Sequence, residues 1–164
     1  MIRRLLFLAG LALTGPAAAQ DFAIDTGWID RCVAKPGNRM LCFGQASHDC
    51  VVANGGGPNM VLAACAEAET AHWDAVLNEA YARLLTLARQ READDLGYAP
   101  DTLEFALREV QRAWIGYRDA TCAHALSLAA PFGSAAGPAY QHCMGRQTAR
   151  QYFELLDLQQ AYRG

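Results

Sequence analysis

The sequence predicts an all-α protein: a disulfide-bonded three-helix bundle preceded by an irregular segment rich in Cys. Three observations support this fold class. Apolar residues recur at steps of three and four along three long stretches after residue 59, which is the period of an amphipathic helix. No two segments show the alternation of paired strands over a useful length. Six Cys follow an N-terminal export signal, which favours three disulfides in an oxidising compartment.

The first nineteen residues have the pattern of a signal peptide. Arg3 and Arg4 precede an apolar run from Leu5 to Leu13, and three Ala end the segment at Ala19. We expect cleavage after Ala19 and a periplasmic or secreted location. The apolar run is too short to span a bilayer, and no later run is apolar enough to do so.

Cleavage would leave about 145 residues in the mature chain, enough for one domain with a real core. Losing two Arg with the signal changes the formal charge from −3 to −5. An acidic exported chain is a poor candidate for binding nucleic acid, whereas a basic protein partner would be attracted to it.

Residues 20–59 are predicted to be irregular, because Gly and Pro are spread through them and no helical period survives. A structureless stretch of this length needs to be held in place. Cys32, Cys42 and Cys50 can do this, and Trp28 is expected to pack onto the main body. We expect this segment to form one globular unit with residues 60–164.

The first long helix is predicted from Met60 to about Gln90, where apolar residues recur at helical spacing. Gly97 and Pro100 then interrupt the pattern. Asp101 followed by Glu104 three residues later resembles a capping box and indicates the start of a second helix.

The second helix is predicted to end near Ala129, before a loop between Pro131 and Pro138. Pro138 suits the first position of a third helix that runs to about Tyr162. Three helices with short loops pack as an up-down-up bundle. The sequence shows no internal repeat.

The bundle topology favours one disulfide pattern among the 15 that six Cys allow. The start of the first helix, the end of the second and the start of the third meet at one end of the bundle. This favours the sequential pairs Cys32–Cys42, Cys50–Cys65 and Cys122–Cys143. The alternative is a bridge from Cys65 to Cys122 or Cys143.

Polar residues on the predicted helices suggest a site between them. Arg118 shares a helix face with Gln111, Trp114 and Cys122, and a buried guanidinium needs an anionic partner. Glu69 or Asp74 of the first helix could supply that partner, with hydrogen bonds from Asn78 and Gln111. The candidate inter-helix site comprises Glu69, Trp73, Asp74, Asn78, Tyr81, Gln111, Trp114 and Arg118. We interpret it first as a structural layer that fixes helix register, and alternatively as a ligand site.

No catalytic or metal-binding constellation stands out, and we expect no cofactor. Ser47-His48-Asp49 are adjacent in sequence, whereas the members of a catalytic triad meet through the fold. His124 and His142 accompany Cys122 and Cys143, which would suit zinc if the thiols were free. In an oxidising compartment a disulfide is favoured instead.

Three groups of residues resemble the LprI-type lysozyme-inhibitor-like family of small exported bacterial proteins, over about residues 60–158. Gln111-x-x-Trp114-x-x-x-Arg118-x-x-x-Cys122 is similar to the family's central motif. The first-helix motif is matched by Trp73-Asp74-x-x-Leu77-Asn78-x-x-Tyr81, and the third helix by Cys143, Thr148 and Leu155. Gln151 stands where the family pattern has Arg, which removes a charge that would tie the third helix to the others.

The resemblance implies an all-helical, disulfide-bonded exported domain, and lysozyme inhibition as an activity of some members. Our first hypothesis is therefore a non-catalytic binding protein that inhibits a basic lysozyme and protects peptidoglycan. The second is a structural or stress-related module that binds another envelope protein. The third is an enzyme with its site between the helices, in which Glu69 or Asp74 would be essential.

Overall fold

The computed structural model describes residues 22–94 and 97–163, and every regular element in these two ranges is helical. The predicted all-α fold class is therefore confirmed. The predicted signal peptide, residues 1–19, and its cleavage site lie outside the described residues. None of the described helices is long and apolar enough to cross a bilayer.

The N-terminal segment contains more helix than expected. Helix α1 spans Thr26–Val33, a 3₁₀ turn spans Arg39–Cys42 and helix α2 spans Gln45–Ala53. The prediction of an irregular segment was wrong for these elements, because helices of eight or nine residues are too short to show a clear period among Gly and Pro. Local capping starts α1, where the Asp25 carboxylate accepts a hydrogen bond of 2.9 Å from the Trp28 amide.

Three long helices follow, close to the predicted bounds. They are α3 (Asn59–Ala93), α4 (Thr102–Ala129) and α5 (Ala136–Arg163), with a 3₁₀ turn at Ala130–Ala135 between the last two. Helix α5 begins two residues before Pro138, which therefore occupies the third helical position and not the first. Proline is tolerated there because the first amides of a helix have no intrahelical acceptor.

Helix α5 packs against both other long helices and forms the centre of the bundle. Leu77 and Leu84 of α3 meet Leu107 of α4 and Leu155 of α5 in one buried cluster. Gly145 allows α3 and α5 to approach closely, since a Cβ at this position would lie 2.6 Å from the Thr70 hydroxyl oxygen. The closeness of these two helices leaves α4 in contact mainly with α5.

The N-terminal segment packs over the seam between α3 and α5. Ile29 is buried with Trp73 and Phe153, and Trp28 packs against the same cluster, as expected. Arg39 binds both carboxylate oxygens of Asp157 at 2.7 and 2.8 Å, and its guanidinium lies 5.1 Å from the centre of the Phe153 ring. These contacts attach the segment to α5.

The six Cys form the bonds Cys32–Cys42, Cys50–Cys65 and Cys122–Cys143. This is the sequential pairing expected from the bundle topology. The alternative bridge from Cys65 to α4 or α5 does not occur. The second and third bonds lie at the end of the bundle where α3 begins and α4 passes into α5.

The start of α4 is stabilised differently from the prediction. Asp101 occupies the N-cap position, but its backbone is left-handed (φ 61°) and its side chain makes no capping hydrogen bond. Glu92 at the end of α3 accepts hydrogen bonds from the amides of Leu103 and Glu104 instead. The capping-box prediction was wrong because a capping side chain requires an extended backbone at the N-cap.

Candidate functional site

The structure separates the predicted inter-helix polar site into several places. Glu69 and Trp73 lie where the N-terminal segment meets α3. Glu69 is 1% exposed, and its Oε1 accepts hydrogen bonds from the Gly44 amide at 2.7 Å and from Trp73 Nε1 at 3.0 Å. Its Oε2 accepts one from the Ser47 amide at 2.8 Å. Glu69 thus caps the N-terminus of α2 from a neighbouring helix, a favourable position for a carboxylate.

Arg118 does not pair with Glu69 or Asp74, so the expected ion pair was wrong. Arg118 Nη2 lies 2.8 Å from the Asp119 carboxylate, and its guanidinium lies 5.0 Å from the centre of the Trp114 ring. The partner and the stacking ring both come from α4 itself. Glu69 is already fully bonded, and Asp74 is exposed and accepts a hydrogen bond of 2.9 Å from Asn78.

Gln111 of the central motif bonds to α5. The Gln151 Nε2 donates to Gln111 Oε1 at 3.2 Å, and both side chains are buried. Gln151 is the position at which the resemblance led us to expect Arg. The neutral amide pair therefore provides the contact between α5 and α4 that we expected to be missing at this position. A second amide in α5, Gln159, donates to the Ala80 carbonyl of α3 at 2.8 Å.

Tyr81 and Gln111 border an open groove between α3 and α4. The groove has a volume of about 370 Å³ and is lined by Tyr81, Arg108, Gln111, Arg112 and Ile115. Asn78 and Asp74 lie on α3 about one and two turns before Tyr81, and neither lines the groove. The groove combines two Arg with one phenol and one amide, and contains no nucleophile with a base. It can bind a small polar group, but it offers no evident catalysis.

The residues considered for catalysis or zinc have other roles. Cys122 and Cys143 are bonded to each other and offer no thiolate to a metal. The described residues contain no group of three metal-ligating side chains. His142 lies with His48 and Ser47 in an apolar cavity of about 270 Å³. Burial lowers the pKa of His142, and the nearby positive charge of Arg146 lowers it further.

Two stretches without charged residues meet at one end of the bundle. Residues 50–66 and 120–145 contain no Asp, Glu, Lys or Arg. These two stretches lie side by side in the fold. The Asn59 side chain donates a hydrogen bond of 2.8 Å to the Ser134 hydroxyl across the loops. We call this end of the bundle the apex. Its loops are residues 54–58 and 130–135.

The apex exposes apolar side chains on a braced backbone. Met60 is 70% exposed and Phe132 is 75% exposed. The disulfides Cys50–Cys65 and Cys122–Cys143 hold the elements beside the two loops. Exposed apolar groups without nearby charge are typical of the centre of a protein–protein interface, and a braced backbone lowers the entropy lost on binding. Sequence reasoning could have found the apex from the two uncharged stretches.

Comparisons with known proteins agree with the resemblance found in the motifs. The sequence model of a family described as lysozyme inhibitor LprI matches residues 50–155, which is more than half of the chain. An uncharacterized protein of Rhizobium meliloti (strain 1021) is 37% identical over 107 residues, a match that covers 62% of this chain and 74% of that protein. No solved structure matches the chain.

Proposed function

Because this chain belongs to the LprI lysozyme-inhibitor family, we propose that it is an exported, non-catalytic protein that binds a lysozyme and inhibits it. The family match over residues 50–155 is the observation that carries the proposal. It includes four of the six Cys and both stretches that form the apex. Three disulfides support an oxidising compartment outside the cytoplasm.

The apex is the surface that we propose meets the lysozyme. A restrained, exposed surface loses little entropy on binding, and the disulfide-restrained apex exposes Met60 and Phe132. Their contribution would come from apolar burial and shape. Charge would act at longer range, because the mature chain with a formal charge of −5 would attract a basic enzyme.

The test is an inhibition assay with oxidised, signal-free protein against an animal-type and a bacterial muramidase. We expect stoichiometric inhibition of at least one of them. Phe132→Asp should weaken inhibition by about tenfold or more, since an aromatic anchor typically contributes over 1.4 kcal/mol. Phe105→Asp is a matched control, because Phe105 is 62% exposed near the opposite end of α4. Unchanged lysozyme activity at a large excess of the protein would overturn the proposal.

The alternative is an interaction module for another envelope protein. It is favoured by one observation: the apex itself carries no charge, so nothing in its chemistry demands a basic partner. A pull-down from periplasmic extract separates the two proposals. Capture of a different protein that depends on Phe132 but not on Phe105 would support the module. Capture of lysozyme alone would count against it.

A further inference from the structure

A cavity of about 260 Å³ lies where α1 meets α3 and α5, and we call it the α1 cavity. Its apolar and aromatic lining is formed by Ile29, Val33, Trp73, Val76 and Tyr152. Its polar groups include the Asp30 carboxylate and the His72 imidazole. An apolar cavity of roughly 150 Å³ can hold a benzene molecule. The α1 cavity therefore has room for a small organic ligand, and it has polar groups that could orient one.

The imidazole of His72 has an unsatisfied nitrogen at this cavity. Its Nε2 is buried and has no hydrogen-bond partner among the described residues. Asp30 Oδ1 lies 3.2 Å away, but the pair lacks the geometry of a hydrogen bond. With the proton of the neutral ring on Nδ1, Nε2 and Oδ1 are two acceptors side by side. A buried acceptor without a donor is unfavourable, so this place favours a ligand that donates hydrogen bonds.

The Asp30 carboxylate adds a negative charge that has no permanent cation as its partner. No Lys or Arg among the described residues forms an ion pair with Asp30. The nearby guanidinium groups are paired with other carboxylates, as Arg31–Asp25, Arg39–Asp157 and Arg83–Glu79. The Trp73 ring lies 6.0 Å from both the His72 ring and the Tyr152 ring, measured between ring centres. Aromatic rings beside an unpaired carboxylate are typical of a site for an organic cation.

We propose that the α1 cavity binds a primary alkylammonium group. Such a group has three N–H donors, which can serve His72 Nε2 and the Asp30 carboxylate together, and the exposed Asp30 side chain is free to adjust. The carboxylate and the aromatic rings favour its positive charge, and the apolar lining favours its alkyl chain. A metal ion is a poorer occupant, because the described part of the chain brings no three metal-ligating side chains together.

This site is separate from the surface that we propose for lysozyme. Helix α1 precedes residues 50–155, which the family sequence model matches. On α3 the cavity is lined by residues between 72 and 76, beyond the uncharged stretch that ends at residue 66. The ammonium group can belong to a free small amine or to a lysine side chain of another protein, since both present the same chemistry.

Titration of the oxidised, signal-free protein with butylammonium chloride at constant pH tests the site, with NMR of the imidazole C–H groups as the readout. We expect the His72 signals to shift and saturate, with a dissociation constant of roughly 1–10 mM for a ligand of about five heavy atoms. The compound 1-butanol has the same chain without the charge and should bind at least about tenfold more weakly.

His48 is an internal control in the same spectra. Its Nδ1 lies 3.3 Å from the Asp49 carboxylate, but both side chains are largely exposed to solvent. Water screens such a pair, so the His48 signals should not saturate with butylammonium. Asp30→Asn should weaken binding at His72 by about tenfold or more, because it removes the charge. Asp49→Asn is the matched control and should leave binding at His72 unchanged.

A peptide probe, acetyl-Gly-Lys-Gly-amide, distinguishes the two sources of the ammonium group. Saturating His72 shifts with both probes would support a lysine side chain, and shifts with butylammonium alone would support a free amine. The wild-type titration does not depend on how any variant folds. Unshifted His72 signals in the wild type would overturn the proposal, and the His72–Asp30 contact would then only attach α1 to α3. Equal saturation of His72 and His48, or equally tight binding of 1-butanol, would overturn it as well.

Discussion

Glu69 shows how one buried carboxylate can organise a junction between segments. It accepts two amide hydrogen bonds from the start of α2 and one from the Trp73 indole, so both of its oxygens are occupied. The amides at a helix start carry partial positive charge and lack intrahelical acceptors. A negatively charged acceptor on α3 therefore stabilises both α2 and its attachment to the bundle.

Glu69→Gln should lower the free energy of unfolding by about 2 kcal/mol. The amide retains one acceptor oxygen, while its NH₂ group would face the remaining amide donor in a buried place. Thermal and urea unfolding measure the change. Asp74→Asn is the control: Asp74 is exposed and Asn retains an acceptor for Asn78, so stability should change by less than about 0.5 kcal/mol. Equal effects of the two substitutions would contradict this assignment.

The buried pair Gln111–Gln151 makes a second prediction at this scale. Gln111→Leu should destabilise the protein by about 1–3 kcal/mol, because the Gln151 amide then loses its partner. Replacing both by Leu should recover much of that loss, since no buried polar group is left unpaired. A double-mutant cycle on urea unfolding measures the coupling between the two. Additive losses would show that the two amides act independently.

Glu104 provides a prediction about pH. Hydrogen bonds from Arg89 and then Arg108 lower the pKa of its carboxyl from 4.5 to about 2. Because this pKa is lowered in the folded state, the ionised Glu104 carboxylate stabilises the fold. That stabilisation is fully present above about pH 4.5 and is lost as the pH falls towards 2. The melting-temperature difference between wild type and Glu104→Gln should therefore shrink over this range. A constant difference from neutral pH to pH 2 would refute the prediction.

The connection between α3 and α4 shows how elements cooperate beyond local sequence. Glu92 at the end of α3 caps α4, whereas Asp101 is left-handed and makes no capping bond. Glu92→Ala should lower the free energy of unfolding by about 1 kcal/mol through loss of the cap. Asp101→Gly should raise it by about 0.5–1 kcal/mol, because glycine adopts positive φ without strain. Urea unfolding measures both variants, and changes of opposite sign in the free energy of unfolding would support this assignment. A lower free energy of unfolding for Asp101→Gly would instead support the predicted capping box.

The sequence predicted the long helices well and the short ones poorly. Helices α3, α4 and α5 each repeat their apolar period over many turns, so their bounds are clear in the sequence. Helix α1 depends on the Asp25 cap and on the Cys32–Cys42 disulfide. Helix α2 depends on hydrogen bonds to Glu69, which lies far away in the sequence.

Polar pairing between helices was the least predictable feature. The residues of the proposed polar site were recognised as unusual, but not their partners. Arg118 forms an ion pair with Asp119 of its own helix, and Gln111 accepts a hydrogen bond from Gln151, 40 positions away in the sequence. Spacing along one helix shows which residues share a face. It does not show how far one helix is displaced against another, and that displacement decides which side chains meet.

At the scale of the whole molecule, charge is excluded from the apex and retained elsewhere. The stretches 50–66 and 120–145 carry none, and the nearest charged residues in sequence are Asp49, Glu67, Asp119 and Arg146. Such an arrangement separates two physical tasks. The uncharged apex can be desolvated at low cost, and in the proposed complex the acidic chain as a whole would attract a basic lysozyme towards it.

This separation predicts how salt and substitutions affect lysozyme binding. Replacing exposed Glu67 beside the apex by Lys should slow association several-fold at low ionic strength, because attraction acts over a Debye length of about 10 Å at 0.1 M salt. Dissociation should change little. Glu79→Lys, an equal charge change three turns further along α3, should have a smaller effect. Stopped-flow association at two salt concentrations measures both variants.

Phe132→Asp should instead accelerate dissociation at either salt concentration, since it removes an apolar contact. If Glu67→Lys and Glu79→Lys slow association equally, the attraction comes from net charge alone and the enzyme does not approach through the apex.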